Sequence, residues 1–150
     1  MPRIDPRHLD HESLAATVLE AKPILFDKLA AACDVDETGA RAVLTEVLRF
    51  LSLVATADQT LTPSPRVDDA WHELVLCTRL YFRLCDEHFG SYVHHDPGGT
   101  RDDNARQFHE TMRRYSLFFG DPDPAHWGDR GPLTASAECG ACESLPSSPR

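Results

Sequence analysis

The chain has 150 residues and a mass of 16.7 kDa, with 41% hydrophobic and 26% charged side chains and a net charge of −9. These values exclude a wholly disordered or collagen-like chain and fit one core-bearing domain. The acidic balance argues against nucleic acid or an anionic membrane as partner, and no run approaches the roughly 18 apolar residues of a spanning helix.

The start, Met1-Pro-Arg-Ile-Asp-Pro-Arg-His, has no apolar region of the secretory kind, so a cytoplasmic protein is expected. Residues 1–8 are rich in Pro and Arg and are expected to fray. From Asp10 the pattern turns helical, with Leu14, Val18 and Leu19 at helical spacing as far as about Ala21. Pro23 ends or restarts a helix, and Ile24, Leu25, Phe26, Leu29 and Ala32 continue an apolar face. After a polar break, Asp36 or Thr38 can cap the next helix. That helix, from about Glu37 to Ala57, is the clearest of all: Val43, Leu44, Val47, Leu48, Leu51, Val54 and Ala55 recur at spacings of three and four.

Thr60-Leu-Thr-Pro-Ser-Pro reads as a loop, with Ser64 as N-cap and Pro65 as first helical residue. One helix is expected from about Pro65 to Phe89, stopped by Gly90. Pro97 and Gly98-Gly99 mark a loop, and a last helix runs from about Asp102 to Phe119 before Gly120. Asp121-Pro-Asp-Pro makes a turn from which Trp127 packs back. Strand signals are nearly absent apart from Ser91-Tyr-Val-His. The fold class expected is therefore all-α, a compact bundle of about four or five helices around Leu44, Leu48, Leu51, Trp71, Leu74 and Tyr81. The domain is expected to span residues 1–127. Residues 128–150 have no aromatic residue and only Leu133 and Leu145 as large aliphatics, so a disordered tail is expected there.

The informative stretch is Val67 to Pro97. On a helical wheel, Val67, Trp71, Leu74, Thr78, Tyr81, Phe82, Cys85 and Phe89 share a core side, while Asp68, Asp69, His72, Arg79, Arg83 and Asp86 lie opposite. Asp68 precedes His72 by one turn and can orient its imidazole. His94-His95-Asp96-Pro97 follows the stop at Gly90, so a histidine of that loop can reach back to the helix. His72, His94, His95 and Asp68, with Cys85 as a weaker fifth, are candidate ligands for a divalent metal, with zinc the first choice because it accepts His, Cys and Asp together. His88 and His109 read as exposed or structural. Cys139-Gly-Ala-Cys142 has the spacing of a zinc or redox pair but lacks a second pair, and is read as a tail motif. With five cysteines in a chain expected to be intracellular, a disulfide framework is not expected.

The string Leu61-Thr-Pro-Ser-Pro-Arg-Val-Asp-Asp-Ala-Trp-His, followed by Tyr81, Cys85, Phe89-Gly90 and His94-His95-Asp96-Pro97, resembles the glycine-rich domain-containing protein-like family. That family's V-D-x-x-W-H, tyrosine, cysteine, F-G and H-x-P pattern falls on Val67, Asp68, Trp71, His72, Tyr81, Cys85, Phe89, Gly90, His95 and Pro97. The resemblance covers roughly residues 48–127. Leu74 stands where many relatives carry a second histidine, and the glycine-rich extension is missing from a chain with 8 glycines. The resemblance implies a fold label and candidate positions, not a reaction.

Two functions remain. One is a small helical protein with a His/Asp site for a metal or for acid–base chemistry. The other is a helical module that binds another protein. In it the Asp-x-x-Trp-His motif is structural, Trp71 is a core anchor, and its indole N–H or His72 satisfies a loop carbonyl. No G-x-S-x-G, phosphate loop or H-E-x-x-H is present, so whether the chain is an enzyme stays open.

Overall fold

The computed structural model describes residues 5–96 and 98–128. Within them the chain forms seven α-helices: α1 (His11–Ala21), α2 (Ile24–Cys33), α3 (Glu37–Thr56), α4 (Pro65–Leu76), α5 (Thr78–Leu84), α6 (Arg101–Phe119) and α7 (Pro124–Trp127). A 3₁₀ turn, Pro6–His8, precedes α1, and a π turn, Cys85–Phe89, extends α5. No strand occurs among the described residues, and Ser91 to His94 is coil that begins with a bend. No helix among them is long and apolar enough to cross a membrane.

Short polar side chains start most helices. Asp10 accepts from Ser13 N–H at 3.0 Å, Asp36 from Gly39 N–H at 2.8 Å and Thr100 from Asp103 N–H at 3.0 Å. Each satisfies a backbone donor that the first helical turn leaves free. Asp36 rather than Thr38 is thus the cap of α3. Ser64 does two jobs: its Oγ accepts from Val67 N–H at 3.2 Å and donates to the His126 carbonyl at 2.5 Å, tying α4 to α7.

The expectation of four or five helices undercounts. One added helix is α7, a single turn opened by Asp123 and Pro124. The other comes from a break in the expected 65–89 helix. Cys77 leaves helical geometry at φ −82°, ψ 67°, and its N–H turns to the Leu74 carbonyl three residues back. The break has a tertiary cause. Trp71 Nε1 donates to the Tyr81 hydroxyl at 3.0 Å, and that hydroxyl donates to the Val93 carbonyl at 2.5 Å. In an unbroken helix two residues ten apart are separated by about 15 Å along the axis. The kink brings them together, and it also turns Thr78 and Phe82, read as core, out to solvent.

Helix α3 is the hub. It packs against α1, α2, α4 and α6. Because neighbours cover several sides, Phe50 and Leu53 are as fully buried as Val43, Leu44, Val47, Leu48 and Leu51. Three polar side chains buried on it are all bonded. Thr45 Oγ1 donates to the Arg41 carbonyl, and Ser52 Oγ lies 2.8 Å from His11 Nε2 of α1. Glu46 receives the Tyr115 hydroxyl at 2.7 Å, the Trp127 indole N–H at 2.9 Å and Arg49 at 2.9 Å. Trp127 is therefore an anchor, as its place after the Asp-Pro turn implies. The 3₁₀ turn at Pro6–His8 also departs from the expected fraying: Asp5 caps it, Pro6 is buried, and Arg7 lies over the Phe118 ring at 5.7 Å.

Candidate functional site

Four segments converge at one side of the bundle. They are the end of α3 with the loop behind it, the first turns of α4, the 91–99 loop and the first turns of α6. The loop behind α3 is pinned to α6 by three bonds. Thr62 N–H donates to Thr111 Oγ1 at 3.2 Å, Thr111 Oγ1 donates to the Thr62 carbonyl at 2.9 Å, and Thr62 Oγ1 donates to Gln107 Oε1 at 2.7 Å. Gly90, at φ +76°, ends the π turn in a conformation open to glycine and folds the chain back over α4. Between these walls lies a cleft of about 680 Å³.

Asp68 is the deepest acidic group of the cleft, with 2% of its surface exposed. The wheel placed it on a solvated side; the returning loop covers that side. Its Oδ1 lies 3.1 Å from His95 Nε2, an arrangement in which the imidazole N–H donates to the carboxylate. Its Oδ2 is buried and has no hydrogen-bond partner among the described residues. Asp68 sits in the first turn of α4, where the helix N-terminus favours a negative charge. Next to it, the Asp69 carboxyl is pushed up by partial burial and by the Asp68 charge.

The five candidate residues are only partly brought together. Asp68 and His95 pair. His95 also packs edge-on to Trp71, with ring centroids 4.4 Å apart. His72 is exposed and stands 5.6 Å from the His95 ring, so the carboxylate holds the loop histidine and not the one a turn away. His94 also lines the cleft, with its ring edge-on to the exposed ring of Tyr92 at 4.7 Å. Cys85 is fully buried beside the Tyr81 hydroxyl and the Val93 backbone, and burial pushes its thiol up, away from the thiolate a ligand needs. No group of three or more His, Cys, Asp or Glu side chains is placed to hold a metal ion among the described residues. Pro97, Cys139 and Cys142 lie outside those residues. His88 is half-buried next to Glu87, and His109 is exposed.

Sequence reasoning missed two features. One is the bond from Trp71 through Tyr81 to Val93, which spans a helix break that no local pattern marks. Burial pushes the Tyr81 hydroxyl well above the ordinary phenol range, so it serves as a neutral bridge. The other is the Glu46 hub, whose signal was present: a lone carboxylate among Val43, Leu44, Val47 and Leu48 on the face of the central helix.

Fold and site together define a small all-helical protein with an acidic cleft built on a buried Asp–His pair. The UCP032817-like family model matches residues 14–121, and the chain belongs to that family, which is uncharacterised. This corrects the resemblance to the glycine-rich domain-containing protein-like family, to which nothing in the comparison points. Comparisons with curated proteins and with solved structures give no match.

Proposed function

We infer that the protein is a helical ligand-binding module whose cleft recognises a small polar molecule through Asp68 and His95. The observation that carries the reading is the half-satisfied carboxylate. A buried charge with a free oxygen costs stability unless something bonds it. Proteins keep such groups where a ligand completes them. His94, beside Tyr92, is a secondary contact in this reading, whereas His72 is not among the residues that line the cleft. Cys85 has a packing role. The domain is taken as residues 1–127 with residues 128–150 as an appendage, acting in the cytoplasm without nucleic acid or membrane.

A second reading has support of its own. Trp71 is a core anchor whose indole N–H reaches a loop carbonyl through Tyr81, as a purely structural motif requires. Leu76 and Phe82, 62% and 58% exposed, lie near the break and suit a partner protein.

Amide and side-chain NMR with a panel of small polar molecules of both charges separates the two. The ligand-binding reading expects shifts concentrated at Asp68, the Trp71 indole, residues 92–96 and the start of α6. Shifts absent from the cleft across the whole panel would favour the interaction module.

A further inference from the structure

The cleft's chemistry also specifies its ligand, and the argument rests on the ligand-binding reading above. Besides Asp68, three carboxylates line the cleft: Asp58, Asp96 and Asp103. No lysine or arginine lines it among the described residues. Asp103 is paired outward with Arg106, which moderates the rim without placing a cation inside. Two aromatic rings, Trp71 and Tyr92, line the same space. The buried Asp68 Oδ2 lacks a donor, whereas Oδ1 already has the His95 N–H. An anion entering here meets four carboxylates and no lysine or arginine among the lining residues. A neutral hydroxyl supplies a donor but leaves the buried charge uncompensated. A cationic N–H supplies both, in the shorter and stronger class of hydrogen bond, and an aromatic ring close to a cation adds to the attraction. Val54 and Leu61 add apolar wall beside these groups.

We propose that the cleft binds an organic cation, a primary ammonium or guanidinium group on an apolar stem, with one N–H donated to Asp68 Oδ2 and the charge beside Trp71 and Tyr92. A bare metal ion fits less well, because Asp68 and His95 bond each other and no third ligand stands with them among the described residues.

The test uses the full chain and five probes: benzylammonium, benzylguanidinium, benzyl alcohol, benzoate and zinc chloride. Binding is followed by calorimetry and by the NMR signals of the Trp71 indole and residues 92–96. The expected result is saturable binding of the two cations, at least tenfold tighter than benzyl alcohol, with no binding of benzoate. Asp68→Asn should weaken the cations at least tenfold while the Trp71 indole signal stays in place, which shows that the fold is kept. Should that variant fail to fold, Tyr92→Ala, at a partly exposed ring, should still weaken them severalfold. Equal or tighter binding of benzyl alcohol or benzoate in the cleft overturns the cation assignment and leaves the ligand-binding reading standing. Cleft binding of zinc alone overturns the assignment in favour of a metal site. Silence from all five overturns the assignment and the ligand-binding reading together.

Discussion

At the scale of single residues, the site separates into a part that holds the structure and a part that is left open. Tyr81 belongs to the first. Its hydroxyl accepts from Trp71 and donates to Val93 inside the core. Tyr81→Phe keeps the ring and leaves a buried indole N–H and a buried carbonyl unpaired. Each such group costs about 1–3 kcal/mol, so for the two a loss of about 2–6 kcal/mol is expected in urea unfolding. A loss below about 1 kcal/mol would mean that water takes over the bridge. Asp68 belongs to the second part, since one of its oxygens bonds nothing among the described residues. The sequence marked His72, His94, His95 and Asp68, with Cys85 as a weaker fifth, and of these Asp68 and His95 pair. It assigned Asp68 to the wrong histidine. Spacing of four residues on one helix is visible locally, whereas the path of a loop returning past Gly90 is set by packing.

At the scale of elements, the sequence marked Ser64 as a cap and Asp36 as one of two candidates. Asp10 and Thr100 were not named as caps, although each carries an oxygen at the right offset to meet a free N–H. The break at Cys77 was not legible, because Leu76-Cys77-Thr78 contains no proline or glycine. Its cause is the Trp71–Tyr81 bond, a contact made only once the fold exists. The π turn that follows depends on Gly90, whose φ of +76° strains any residue with a Cβ. Gly90→Ala is expected to cost about 1–2 kcal/mol and to displace the loop that carries His95. Thermal unfolding measures the first effect and the His95 ring signals the second. A variant as stable as the parent, with His95 unmoved, would show that the loop is held without the glycine.

At the scale of the whole molecule, helices meet through polar junctions as well as through the apolar core. His11 joins three of them. Its Nε2 lies 2.8 Å from Ser52 of α3, its ring packs edge-on to Phe119 of α6, and it opens α1. Burial, with Arg49 nearby adding to it, lowers its pKa to about 4, while Asp10 opposes weakly. The folded protein thus refuses a proton that the unfolded chain accepts below about pH 6.5. Stability from this residue is present above that pH and is lost as pH falls toward 4, by about 2 kcal/mol between pH 7.5 and 5.0. Urea unfolding at the two values measures the loss, and His11→Gln should remove most of it. An equal loss in that variant would assign the effect to other groups. The all-round burial of α3 was hidden in the sequence for a related reason. Periodicity shows the face a helix must bury, but not how many neighbours come to cover the others.

The central claim is that the buried Asp68 carboxylate serves a ligand and not the fold. The equilibrium stability of Asp68→Asn tests this most directly. The substitution keeps an oxygen for His95 and removes a buried charge whose other oxygen bonds nothing among the described residues. The account predicts that the variant is as stable as the parent to within about 1 kcal/mol, or more stable, as groups kept for binding often are. A loss of more than about 3 kcal/mol, the usual cost of breaking a buried charge pair that holds a structure together, would contradict it.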